Sequence, residues 1–373
     1  MELDKILFLL IDSIEMSQAL SIGAFLLLLN KKKKNSLLYL GLLLIVSGFS
    51  SLSGIFEIFN VYVKSPYLEF LSINFSLLIP SLLYIYVEKT SVLKKKRISY
   101  VLLIPGIIQF FIGIVFFFLP LEKKLTIEES ILYNLLVLIG ILYGFTIIVL
   151  TLIKVKKHSK VLRNQYSSVD HRELKWVSQF IIFLFIFFIT IIFLDFLASE
   201  FFEELIGSVF GLFMTYWIAY NGLFQQTSKN LFHKPLENDV VFETQKTSKN
   251  NFQKQDIDIE KYKQVLTKIE SVMKNEELFL NPELTIIHIA EKINEHPRRI
   301  STTINKLREE NFNSYINKFR VEKAKTILLS DKTKRLNIEG IGQEAGFKSN
   351  SAFYTAFKKN LKTTPLQFVK TAS

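Results

Sequence analysis

Seven stretches dominated by Leu, Ile, Phe and Val fill the first 224 residues, and no other feature constrains the fold of this chain so strongly. They cover residues 7–29, 36–59, 66–86, 98–121, 131–153, 176–197 and 202–224. Each approaches the ~20 residues that carry a helix across ~30 Å of hydrocarbon, where an unpaired backbone amide has no water to turn to. The expected architecture of residues 1–224 is a bundle of seven transmembrane helices. The first stretch holds Asp12 and Glu15 and lacks both a basic start and a small-residue cleavage site, so it reads as a retained helix rather than a removable leader.

Basic residues in short loops stay on the cytoplasmic side, and here they alternate loop by loop. Residues 31–34, 88–97 and 154–175 carry four, five and seven Lys or Arg, whereas the opposite set of loops carries only Lys5, Lys64, Lys123 and Lys124. This bias places the amino terminus outside and the carboxyl tail inside, in the cytoplasmic membrane. A carboxylate at membrane depth is costly, yet Asp12, Glu15, Glu57, Glu69 and Asp195 all lie in or beside the apolar stretches. Under this topology they fall in the outer thirds of their helices. They either snorkel to the headgroups or converge, with Asn74 and Asn134, on an outward-facing cavity that senses an unknown signal ligand, a cationic or hydroxylated small molecule.

After Phe224 the composition becomes that of a water-soluble protein. Residues 225–257 are rich in Lys, Asn, Gln and Ser without apolar period, as in a flexible linker. A helix is expected within 258–280, because Tyr262, Val265, Leu266, Ile269, Val272 and Met273 form one stripe at helical spacing. Its partner is either the adjoining domain or a second copy of the chain, in a homodimer. Residues 225–373 carry 26 Lys and Arg against 18 Asp and Glu, and from Leu284 onward the count is 17 against 8. The positive field is therefore gathered at the carboxyl end, as on a polyanion-binding surface.

That end contains a diverged repeat. Residues 284–294 and 336–346 share a pattern at an offset of 52. Each opens on a capping residue, Thr285 or Asn337, and each closes on a type that tolerates left-handed backbone, Asn294 or Gly346. The apolar positions Ile286, Ile289, Ala290 and Ile293 recur as Ile338, Ile341, Gly342 and Ala345. A second helix follows each. The first, about 297–307, turns Ile300, Ile304 and Leu307 inward and leaves Arg298, Arg299, Thr302, Thr303 and Lys306 outward. The other, about 349–361, buries Phe353, Phe357 and Leu361 and leaves Asn350, Ser351, Tyr354, Thr355, Lys358 and Lys359 outward. Helix, sharp turn and a polar-basic second helix is the helix-turn-helix plan, whose second helix enters the major groove of DNA.

The run from Phe312 through Arg320 to Leu329, then Glu344-Ala345-Gly346-Phe347, Ser351 to Lys359 and Thr364-Pro365, resembles the signature of the AraC/XylS family of transcription regulators. The resemblance covers about the last 95 residues. It implies two helix-turn-helix units joined by one long helix, about 312–329, in a domain spanning 281–373, with Arg320 and both reading helices approaching double-stranded DNA. Seven membrane helices before such a domain are similar to the membrane-bound members of that family. The implied fold is all-α, the implied function is one-component transcription regulation, and membrane lipid, a second copy of the chain and RNA polymerase are the further partners. Gly340, Gly342, Thr355 and Lys362 depart from the family pattern, and two glycines inside a helix weaken it by about 0.8–1 kcal/mol each.

Other chemistry finds little support. The chain has no Cys and five His, and none of the His pairs has a metal-binding spacing, so they read as loop or surface residues. No phosphate-cradling glycine loop or nucleophile elbow is present, and neither catalysis nor a cofactor is expected. A transporter or receptor whose basic tail binds a protein is the alternative. It predicts paired helix breaks in two related halves, which Pro80 and Pro105 do not form.

Overall fold

A computed structural model describes residues 3–29, 35–71, 75–93, 97–197, 200–225, 252–330 and 337–372. Among these residues the regular elements are all helical. The chain divides into two compact units, one of residues 1–158 and 174–227, the other of residues 159–173 and 228–373.

The first unit contains α1 (Leu3–Leu29), α2 (Asn35–Ser50), α3 (Leu52–Ile58), α4 (Val61–Lys64), α5 (Leu78–Thr90), α6 (Ile104–Phe117) and α7 (Leu121–Glu128). It continues with α8 (Ile131–Gln165), α9 (Lys175–Phe196) and α10 (Glu200–Phe224), the end of α8 belonging to the second unit. Among the described residues six segments are long and apolar enough to cross a membrane: Asp4–Leu29, Ser36–Ile58, Tyr100–Phe117, Ile131–Gln165, Lys175–Phe196 and Phe201–Phe224. The expected third span, 66–86, departs from this. Its described part is a 3-10 turn, Pro66–Phe70, followed after residue 75 by the 13-residue α5, too short to cross by itself. Pro66 opens the 3-10 turn and Pro80 stands in the first turn of α5, where a missing N–H is tolerated.

Close backbone approach replaces a hydrophobic driving force where helices pack in lipid, and α1 and α2 use it. A Cβ on Gly23 would lie 2.9 Å from Gly41 O, and one on Gly41 2.8 Å from Gly23 O. The core of this unit includes Leu40, Leu44, Ile85, Tyr86, Val177 and Phe180. Outside it, α6, α8 and α9 turn large apolar side chains outward, among them Phe111, Ile131, Phe145, Phe185 and Phe196. Such a belt is a liability in water and a fit to lipid. Two residues expected in loops meet inside: Glu88 on α5 and Lys154 on α8 form an ion pair at 2.5 Å, because both helices run further than the apolar runs suggested. His158, expected in a loop or at the surface, is instead fully buried near the end of the same extended helix, accepting from Val92 N at 3.2 Å.

The second unit contains α11 (Phe252–Asn275), α12 (Ile286–Ile293), α13 (Pro297–Arg308), α14 (Phe312–Leu328), α15 (Ile338–Glu344), α16 (Asn350–Leu361) and α17 (Pro365–Ala372). Residues 226–251 of the expected linker lie outside the described residues, and 252–257, expected as linker, already belong to α11. Val265, Ile269 and Met273 of α11 share a core with Ile286, Ile289, Ile300 and Ile304, so the amphipathic stripe finds its partner within the unit. A separate core gathers Val321, Ile327, Ile341, Phe353 and Phe357. The long α14 contributes to both cores and so ties the two helix-turn-helix halves together.

The halves meet at Gly346. Its φ of +89° is a glycine conformation, and a Cβ there would lie 2.6 Å from Phe279 O. Gly346→Ala is therefore expected to cost about 1–3 kcal/mol and to accelerate amide hydrogen exchange across Ile338–Leu361 in the full-length protein. Unchanged exchange there would contradict the close approach.

Candidate nucleic-acid interface

Local chemistry fixes both helix-turn-helix units. Thr285 caps α12 in a reciprocal box with His288, whose Nδ1 accepts from Thr285 N at 3.2 Å. The turn is made by Asn294 in left-handed backbone, φ 51°. His296 then caps α13, its Nδ1 accepting from Arg298 N at 3.1 Å, ahead of Pro297 in the first turn. In the second unit, Asn337 Oδ1 accepts from Gly340 N at 2.7 Å, and Ser349 Oγ accepts from Ala352 N at 3.2 Å to start α16. Gly342 leaves room for the Phe353 ring, which a Cβ would meet at 2.8 Å. Lys362, where the family pattern has glycine, ends α16 in left-handed backbone at φ 61°.

The outer faces of the two reading helices are polar and cationic. On α13, Arg298, Arg299 and Lys306 are exposed and Thr302 is half-buried. Arg299 pairs with Glu295 at 3.0 Å, and the Lys306 ammonium lies 4.7 Å from the centre of the Tyr262 ring on α11. On α16, Asn350, Ser351, Thr355, Lys358 and Lys359 are exposed and Tyr354 is half-buried. Lys359 Nζ donates to Ser314 Oγ at 3.0 Å.

Two expected contacts turn inward. Thr303 is fully buried, since it stands beside Ile304 on the core side of α13. Arg320 is only 1 % exposed. Its Nε donates to Phe279 O at 2.7 Å, one terminal nitrogen to Asn281 O at 2.8 Å and Ser167 Oγ at 3.0 Å, and the other to Asn317 Oδ1 at 3.3 Å and Ser167 O at 3.4 Å. Burial pulls its pKa down to about 10, against the opposing pull of Asp170 and Glu283. It remains a cation at neutral pH, but every guanidinium nitrogen already has an acceptor, so as it stands Arg320 offers none to DNA.

The geometry of two capped helix pairs on a shared long helix agrees with the comparisons. Residues 289–371 match the family of helix-turn-helix domains. This match supports reading the segment as an AraC-type DNA-binding domain. The chain has no significant match among curated proteins or among solved structures. Double-stranded DNA is the ligand of an AraC-type domain, whose role is regulatory rather than catalytic.

The expected sensing residues divide in the same way. Asp12 and Glu15 on α1 are each only 9 % exposed. Asp12 faces the Ser208 hydroxyl of α10 and Glu15 the Ser51 hydroxyl, while Gly211 on α10 makes room for the Glu15 carboxylate, which a Cβ would meet at 2.7 Å. Glu57 and Asp195 do not join them; both side chains are exposed, as is Asn134. The side chain of Glu69, and Asn74, lie outside the described residues. His171 is exposed, with a φ of 56°.

Residue 320 therefore separates a structural role from a DNA-contacting one. Arg320→Ala strips the donor from the carbonyls of Phe279 and Asn281, and each buried acceptor left unsatisfied costs about 1–3 kcal/mol. The variant is expected to lower the thermal midpoint of the full-length protein and to speed proteolysis at 278–284. A variant of unaltered stability that binds DNA less well would return Arg320 to the interface.

Proposed function

We propose that this chain is a membrane-embedded one-component transcription regulator. The reading is supported above all by one combination: an AraC-type helix-turn-helix domain with two exposed, cationic reading helices follows, in a single chain, six helices of membrane-spanning length. In this reading residues 1–224 lie in the cytoplasmic membrane with the amino terminus outside, which requires the stretch that contains α5 to complete a seventh crossing beside the six long helices. Residues 281–373 read DNA from the cytoplasm, and RNA polymerase and a second copy of the chain are the protein partners. The distribution of basic residues, 16 on one set of loops against four on the other, supports that orientation.

DNA recognition divides between the two helices by chemistry. Arg298 and Arg299 at the start of α13 carry the forked donors that match guanine edges in the major groove. Lys358 and Lys359 near the end of α16 act as point charges on phosphate. Selection of bound sequences from random duplexes by the full-length protein is expected to enrich a motif of two blocks about one helical turn apart. On that motif Arg298→Ala and Arg299→Ala are expected to cost about 1–3 kcal/mol each, with a smaller loss on random duplex. Lys358→Ala is expected to weaken binding to both alike and to lower the salt slope by about 1. No enrichment at low salt would end this reading.

The buried Asp12 and Glu15 supply the signal site in this proposal. Two carboxylates held among hydroxyls inside a helix bundle favour a cationic or hydroxylated ligand that binds one packing of the bundle better than the other. Asp12→Asn and Glu15→Gln are expected to abolish the signal response of a reporter driven by the selected motif while leaving DNA affinity intact. A retained response would remove these residues from sensing.

A further inference from the structure

The segment 166–173 joins α8 to α9 in the chain, yet it folds with the second unit. Its attachment there is polar and dense. Ser167 N donates to Leu284 O at 3.0 Å, and Ser167 O accepts from Asn313 Nδ2 at 2.6 Å as well as from Arg320. Tyr166 makes an antiparallel bridge with Thr285, the cap of α12. Ser349, the cap of α16, donates its hydroxyl to Asp170 Oδ2 at 2.6 Å. Arg172 reaches Glu283 at 2.7 Å, and the same Glu283 holds Lys348 at 2.5 Å.

Two of these partners, the start of α16 and Lys348, are of the kind that binds a phosphate. The start of a helix offers unpaired amides and the positive end of the dipole to an anion, and a reading helix approaches DNA with its first residues. At α16 an anion is already seated: the Asp170 carboxylate, on the cap itself. Lys348, next to that cap, is tied to Glu283. Burial opposes ionisation of Glu283, but the bonds from Lys348 and Arg172 outweigh it and hold its pKa below the usual value, so the group stays charged at neutral pH. Arg320, buried in the packing of the unit itself, adds an anchor for the segment through Ser167 rather than a group withheld from DNA.

We propose that the segment 166–173 is an autoinhibitory clip, which when docked holds the Asp170 carboxylate where a DNA phosphate would sit at the start of α16, so that clip and DNA exclude one another. The inference rests on the DNA-binding reading above. Because the clip is the covalent joint between α8 and α9, displacement of either helix pulls on it directly. The apolar helices thereby gain a route to DNA affinity without a separate messenger. Linkage makes the effect reciprocal: DNA that prefers the released form favours release.

The chain has no native cysteine, so Asp170→Cys combined with Ser349→Cys supplies the one thiol pair. Full-length protein in phosphatidylcholine nanodiscs is the sample, fluorescence anisotropy with the selected duplex is the readout, and Ser349→Cys alone is the baseline for loss of the cap. Oxidation of the pair is expected to lower duplex affinity at least about tenfold, reversibly with reductant, and duplex added before the oxidant is expected to slow crosslinking. Asp170→Asn, which keeps the shape and removes the charge, is expected to raise affinity roughly fivefold. Equal affinity of oxidised and reduced protein would overturn the clip, as would failure of the pair to oxidise in the absence of DNA. Loss of all duplex binding by the reduced protein and the Ser349→Cys baseline would instead sink the DNA-binding reading itself.

Discussion

A guanidinium cannot be buried without acceptors for its fork of donors, and the C-terminal unit is organised around meeting that demand for Arg320. An unpaired cation in a low-dielectric interior costs a large fraction of the marginal stability of a domain. Here the acceptors come from two separate backbone turns, Phe279 O and Asn281 O on one side and Ser167 on the other. The Arg320 guanidinium also lies 5.8 Å from the Phe347 ring, at the turn of the second helix-turn-helix. One side chain thus touches the segment leading into the first half, the turn of the second and the 166–173 segment. Any rearrangement that separates these parts leaves donors or carbonyls unsatisfied.

The consequence for DNA reading is geometric. Two reading helices meet one face of a duplex only if their separation suits successive major grooves, about 34 Å apart. α14 sets the span between the halves, while the contact of Gly346 with Phe279 and the ion triad of Arg172, Glu283 and Lys348 set their mutual rotation. Neither half carries that geometry alone. The two apolar cores are separate, so polar groups at the seam decide how the halves lie together. Polar seams of this kind have discrete arrangements rather than a continuum, which suits a switch.

What the sequence disclosed was local, and what it hid was long-range. Thr285, Asn294, Asn337 and Gly346 mark their helix ends by backbone chemistry that acts within a few residues, so the four helices of the two units fall where the pattern puts them. The stripe on α11 was equally plain, but its partner was not, because an apolar face does not name what covers it. Arg320 was misplaced for a physical reason: an arginine in a cationic domain, at a position where the family resemblance implies DNA, gives no local sign that carbonyls 39 and 41 residues away will claim it. Thr303 failed for a narrower one, lying at the edge between the polar and buried sides of α13. In the N-terminal half, hydropathy reports the apolar runs but not their ends. The runs at 66–86 and 131–153 accordingly became a broken segment with a short helix and an over-long helix.

The distribution of ion pairs shows how an excess of positive charge becomes a directed one. Away from the reading faces, Lys268, Lys292, Arg308, Lys318 and Lys323 are matched by Glu295, Glu276, Glu270, Glu310 and Glu277. Exposed pairs of this sort add little stability, about 0–1 kcal/mol each. Their effect is to cancel the field over the surfaces where they occur. On α13 and α16, by contrast, Lys306, Lys358 and Lys359 hold no carboxylate among the described residues; Lys306 lies over an aromatic ring and Lys359 donates to a hydroxyl. These three lysines add uncompensated charge to the outer faces of α13 and α16, where Arg299 is paired with Glu295. At the start of α16, Asp170 and the paired Glu283 reverse that pattern, placing negative charge against a reading helix where attraction for a polyanion would otherwise be strongest.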